Sequence, residues 1–138
     1  MRSIFAAVLM ICALGQAHAA SDADRSAIRG IIQDQIEAFR QDDAARAFSY
    51  ATPSLQGMFG SQERFMAMVK DGYKPVYRPR SVAMGEFKDM PDGGTSLAVR
   101  LQDLDGVDWV ALYTLEQQAD GTWRVSGCYL AKEPGQAV

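Results

Sequence analysis

Three Asp-Gly steps divide the second half of this chain at nearly regular intervals, and they constrain its fold more than any other feature. Asp92-Gly93-Gly94, Asp105-Gly106 and Asp120-Gly121 are tight-turn signals, because glycine accepts the positive φ that hairpin turns demand. The stretches between them, near residues 81–88, 95–103, 107–117 and 122–131, are short and rich in β-branched, aromatic and alternating apolar residues. Consecutive hairpins make an antiparallel meander. In the second of these stretches Leu97, Val99 and Leu101 share one face, with Arg100 and Gln102 on the other, so one side of the sheet is buried. The third is apolar on both sides: Trp109, Ala111, Tyr113 and Leu115 face one way, Val110 and Leu112 the other. Its second face needs a cover, and a homodimer through the outer sheet face is the expectation favoured here.

The first half has the period of helices. Ser21 and Asp24 have capping-box spacing ahead of Ile28, Ile31, Ile32, Ile36 and Phe39, which recur on one helical face. Asp42 or Asp43 caps a second short helix that Pro53 stops, and Ser61 caps a third carrying Phe65, Met68 and Val69, ended by Asp71-Gly72. Residues 55–59 read as a short strand. The prolines in Tyr73-Lys-Pro-Val-Tyr-Arg-Pro-Arg80 rule out a regular helix there. Helices first and a meander afterwards define an α+β fold with the helices on one sheet face.

Arg2, the apolar residues 4–14 and Ala17-His18-Ala19 have the layout of a secretory leader cleaved after Ala19. The apolar run is too short to span a bilayer, and Ile11 before Cys12 is too large for lipoprotein processing. The expectation is a periplasmic or secreted single domain of residues 20–138, with no membrane anchor after cleavage. Removal of the leader takes 19 of 138 residues and leaves 13 basic against 17 acidic side chains. With no basic cluster, nucleic acid is not an expected partner. The leader also takes His18, the one histidine, and Cys12, leaving Cys128 alone. A disulfide within the chain, a His-based catalytic triad and a Cys/His zinc site are thereby excluded for the processed form. No metal and no cofactor is expected. Asp103-Leu-Asp105-Gly-Val-Asp108 departs from calcium-loop spacing and reads as a hairpin turn, and Met66 and Met68 lie too close in sequence to share a helix face, with Met68 in the core.

The stretches DQIEAFRQDDAARAFSYATPSL, FGSQERFMAMVKDGYKPVYRPRSV and WVALYTLEQQADGTWRVSGCYL resemble an exported bacterial family known as a domain of unknown function (DUF4864-like). The order of elements is similar to the nuclear transport factor 2-like superfamily. That resemblance implies a curved sheet wrapped around helices as a cone, a fold shared by isomerases, dehydratases, epoxide hydrolases, transport factors and binding domains. It implies no single activity, because function is grafted onto sites.

The candidate site residues are Tyr77, Arg78, Arg80, Glu86, Tyr113 and Cys128. Two guanidinium groups flanking a rigid proline have the geometry to grip a carboxylate or phosphate, against the plainer reading of local pairing with surface acids. Glu86 alternates onto the face of Val82 and Met84, where apolar surroundings raise a carboxyl pKa. Tyr113 offers a hydroxyl to a cavity. Strict alternation places Cys128 with Arg124 and opposite Trp123 and Val125, while a bulge at Gly127 turns the thiol to the core, the commoner place for free cysteine. The leading expectation is a non-catalytic module binding a small-molecule or anionic ligand. An acid–base enzyme using carboxylate and tyrosine, and an envelope accessory protein acting by association, are the alternatives.

Overall fold

The computed structural model describes residues 19–134, so the leader assignment and the last four residues lie outside the described residues. Five helices precede four strands: α1 Asp22–Arg40, α2 Ala44–Ser49, α3 Pro53–Phe59, α4 Gln62–Gly72, α5 Lys74–Tyr77, β1 Ser81–Asp89, β2 Thr95–Gln102, β3 Asp108–Gln117 and β4 Trp123–Lys132. The strands form one antiparallel sheet in the order β1-β2-β3-β4. Gly93, Gly106 and Gly121 take φ of 89°, 81° and 87° at the three turns, as the Asp-Gly signals require. In the β2–β3 turn the Asp103 carboxylate accepts from the backbone N–H groups of Asp105 and Val107 and from the Trp109 indole (2.9 Å each), so it serves the hairpin.

Helix α1 starts at the expected capping box, the Asp24 N–H donating to Ser21 Oγ (3.1 Å) and the Ser21 N–H to Asp24 Oδ2 (2.9 Å). Asp24 also accepts from the Trp123 indole (3.1 Å), tying the first turn of the helix to the first residue of β4. Ile28, Ile32, Ile36 and Phe39 are buried against Leu97, Val99 and Leu101 of β2 and Ala111, Tyr113 and Leu115 of β3. Ile31 is half-buried. Gln35, which no apolar pattern marks, is also buried, because its amide donates to the Ala47 carbonyl (3.0 Å) and fastens α1 to α2. Asp43, not Asp42, caps α2; Asp42 takes a positive φ of 54° between the helices.

Several local expectations are corrected. Residues 55–59 are not a strand: Pro53 begins a helix that Thr52 caps, its hydroxyl accepting from the Leu55 N–H (3.2 Å). Proline at the first helical position lacks only an N–H that would have no partner there, so it starts a helix as readily as it stops one. The strand-like pairing lies just upstream, where Ala51 bridges to Val125 in parallel and the Thr52 N–H donates to the Val125 carbonyl (2.9 Å). The segment after α4 contains one helical turn, α5, again with proline at its start. Gly72 is the last residue of α4, and Tyr73 caps it without a left-handed residue. On α4 Met66 is buried and Met68 half-buried, the reverse of the expected emphasis.

Two bulges reset the alternation of the outer strands. In β1 the pairs Met84↔Val99 and Phe87↔Leu97 leave Gly85 and Glu86 opposite Ala98 alone. A Cβ on Gly85 would lie 2.7 Å from the Ala98 carbonyl oxygen, so the close approach at this bulge requires glycine. In β4 the pairs Thr114↔Gly127 and Leu115↔Val125 leave Ser126 as the extra residue.

Candidate functional site

The bulges decide which sequence candidates meet. The one in β1 gives the core face to Phe87, so Glu86 is exposed and does not share the face of Val82 and Met84; the apolar setting expected for its carboxyl is absent. The one in β4 realises the other option for Cys128: it pairs with Tyr113 on the helix side, together with Leu130 opposite Ala111, and away from Arg124.

Tyr113 and Cys128 lie on the floor of a half-open cavity of about 280 Å³ between the helices and the sheet. Its walls come from Phe39 of α1, Leu55, Met58 and Phe59 of α3, and Phe65, Met68 and Val69 of α4, with Val76 and Val125 closing the sides. No lysine, arginine, histidine or carboxylate is among the lining residues. Phe65 organises the helical wall, its ring 5.4–6.0 Å from those of Phe39, Phe48 and Phe59 in tilted or edge arrangements. Met58 is 70 % exposed at the rim.

The polar groups inside are few. Gln35 donates to Ala47, and the Tyr73 hydroxyl donates to the Cys128 carbonyl (3.0 Å). Tyr113 is 1 % exposed, and its hydroxyl is buried without a hydrogen-bond partner. Burial, with smaller contributions from Cys128 and Tyr73, holds this phenol well above its ordinary pKa. Burial also pushes the Cys128 thiol up to about 12, and the Tyr113 hydroxyl offsets part of that rise. Hydroxyl and thiol are thus close enough to influence each other. A thiol so protonated is a weak nucleophile.

Tyr77 and Arg78 line a second, larger groove of about 740 Å³ between the α4–α5 region and the β2–β3 turn; Arg80 is not part of it. There the Tyr77 hydroxyl donates to Asp42 and the Arg78 guanidinium donates to both Asp42 (3.2 Å) and the Phe39 carbonyl (2.7 Å). Lys70 lies 3.5 Å from the same carboxylate. The Tyr77 hydroxyl, helped by Lys70 and Arg78, lowers the Asp42 pKa. Arg78 already has its anion. Arg80 is exposed, its backbone N–H donating to the Gln102 carbonyl (2.7 Å). The expected two-arginine clamp is therefore not assembled: the plainer reading, pairing with a surface acid, describes Arg78.

The residues missed by sequence reasoning are Leu55, Met58 and Phe59, hidden by the misread helix α3, and Gln35. Spacing could not reveal that Tyr113 and Cys128 face each other, since one inserted residue on β4 decides it.

A search among curated proteins finds no match. Among solved structures, the chain is similar to an NTF2-like protein of unknown function from Shewanella baltica OS155, with a TM-score of 0.57 and 14 % sequence identity, over 86 % of this chain and 100 % of that one. At that identity the likeness shows the fold: helices followed by a four-stranded antiparallel sheet, NTF2-like and α+β. The family model described as a domain of unknown function, DUF4864, matches residues 21–138, and the chain belongs to that family.

Proposed function

We propose that this protein is a non-catalytic binding module of the bacterial envelope that takes a small, largely apolar molecule between its helices and its sheet. One observation carries the reading: a cavity of about 280 Å³ whose walls are apolar and whose lining holds no charged side chain. Ligand sites commonly combine an apolar lining with a few convergent polar groups, and this volume lies just below their usual range, which favours small ligands. A phenol held protonated and a thiol held protonated supply hydrogen-bonding groups rather than a base near neutrality. The exposed position of Glu86 removes the carboxylate on which the acid–base alternative relied. The leader-like residues 1–19 support the envelope location.

Titration with ethylbenzene and acetophenone, followed by amide shifts in two-dimensional NMR, tests this reading. Saturable shifts are expected at Ser126, Gly127 and Cys128 together with Phe65 and Val69. Failure of both compounds to saturate, or shifts confined to the outer face of the sheet, overturns it.

A second reading concerns association. Ala98, Leu112 and Tyr129 form one cross-strand row on the sheet face opposite the helices, with Leu112 42 % and Tyr129 70 % exposed. We propose that a second copy of the chain covers this row. Sedimentation equilibrium is expected to give a dimer that Leu112→Glu converts to monomer; a monomeric wild type at its highest soluble concentration overturns the reading.

A further inference from the structure

Beyond the cavity reading and independently of it, we infer that the outer edge of β4 is a docking site for an extended segment of another protein, which adds to the four-stranded sheet along Cys128 to Lys132. Backbone hydrogen bonding, the shape of the larger groove and its exposed apolar side chains carry this.

β4 is the last strand of the sheet, so alternate residues turn their N–H and C=O toward β3 or away from it. Two bonds fix the alternation. The Glu133 N–H donates to the Asp108 carbonyl (3.0 Å), which turns Tyr129 and Ala131 toward β3 as well. The Cys128 carbonyl accepts from the Tyr73 hydroxyl (3.0 Å), which places the backbone groups of Leu130 and Lys132 on the outward side. Among the described residues those outward groups have no partner. Higher up, the same edge is paired: the Val125 N–H donates to the Tyr50 carbonyl (2.7 Å), and its carbonyl accepts from the Thr52 N–H (2.9 Å). That pairing ends where Pro53 turns the chain into α3. The edge thus holds an extended segment of its own chain over its first half and leaves the second half to one from outside. Open edges are commonly blunted by a bulge, which in β1 falls within the strand at Gly85 and Glu86. In β4 the bulge at Ser126 precedes the open stretch, and Cys128 to Lys132 pair with β3 without interruption.

Tyr129 and Leu130 point to opposite faces of β4, yet both line the groove of about 740 Å³, so the groove takes in the edge of the strand rather than one face. Tyr73 and Pro75 flank it on the helix side, Trp109 and Leu104 toward the β2–β3 turn. Tyr129 is 70 % and Leu104 69 % exposed, an unusual cost for large apolar side chains beside a free edge. The charges of the lining balance, Lys70, Lys74 and Arg78 against Asp71, Asp103 and Asp105. Recognition therefore rests on main-chain hydrogen bonds for affinity and on apolar side chains at alternate positions for selectivity, not on the net charge of the partner.

Hydrogen exchange by two-dimensional NMR, with peptides selected from a phage-displayed library of random ten-residue sequences, tests this on the intact protein. In the free protein the Tyr129 and Ala131 amides are expected to exchange slowly and those of Leu130 and Lys132 fast. Selected peptides are expected to slow the Leu130 and Lys132 amides about tenfold or more. One N-methyl group on such a peptide is expected to weaken binding about tenfold at alternate positions, where it removes a donor to β4, and less than about twofold in between. Lys132→Pro, which removes an outward N–H at an edge where proline is tolerated, is expected to weaken binding by a similar factor with an unchanged circular dichroism spectrum. Slow exchange at Leu130 and Lys132 in the free protein overturns the inference, since the edge is then covered already, by a second copy if the protein sediments as a dimer. A library that yields no peptide acting on these amides, or peptides that shift Phe65 and Val69 of the cavity instead, overturns it too. N-methyl groups that weaken binding without alternation do so even if Lys132→Pro fails to fold. Failure of ethylbenzene and acetophenone to bind sinks the cavity reading and leaves the edge site standing.

Discussion

Phe65→Ala is expected to cost about 3–5 kcal/mol of folding stability, the range for removing a large buried aromatic side chain. The ring is almost fully buried and is the shared neighbour of Phe39, Phe48 and Phe59, which come from three different helices. Alanine leaves those three rings facing a void. The cavity beside it cannot compensate by collapsing, since its other wall is the sheet. A domain of this size has about 5–15 kcal/mol in hand, so the variant sits near the edge of folding. Urea denaturation followed by tryptophan fluorescence and circular dichroism checks this. A loss below about 1 kcal/mol would mean that the aromatic cluster does not hold the helices together.

The second large effect appears on the alkaline side. The unfolded chain releases the Cys128 proton around the ordinary thiol value of 9.0, whereas the native thiol keeps it up to about 12. Between those values the native state binds more protons than the unfolded one, so stability falls as pH rises and is unaffected by this group below pH 9. By pH 11 the loss amounts to roughly 2–3 kcal/mol from Cys128. Tyr113, raised by the same burial, adds to it above pH 10. Cys128→Ala is expected to flatten the decline between pH 8 and pH 11, measured as the difference in denaturation midpoints. Wild type and Cys128→Ala with parallel declines would refute the burial of the thiol. Labelling with a disulfide reagent at pH 8 is expected to be about a thousandfold slower in the native protein than in urea, following the thiolate fraction.

What the sequence made legible was local. The capping box of Ser21 and Asp24 lies within one turn, and each Asp-Gly pair carries its own backbone requirement, so α1 and the four strands were readable to within a residue or two. Prolines misled because Pro53 and Pro75 occupy helix starts, a role that the same residue fills as readily as that of a breaker. The face of each strand was legible only up to the first bulge. Past Met84 and past Val125 simple alternation gives the wrong side, and those are the stretches that contain Glu86 and Cys128. Arg78 was misjudged for another reason: Asp42 lies 36 residues earlier in the chain, and only the folded helices bring it across.

The inserted Ser126 has a consequence for how this protein can change over generations. Loss of that one codon would close the bulge and leave Cys128 opposite Tyr113, because Gly127 would then follow Val125 directly and keep its place opposite Thr114. Loss of Gly127 as well would bring Cys128 opposite Thr114, sending the thiol to the wet side and the ring of Tyr129 into the space above Tyr113. Descendants of this chain can shorten β4 by the one residue of the bulge without turning the strand over, but not by two.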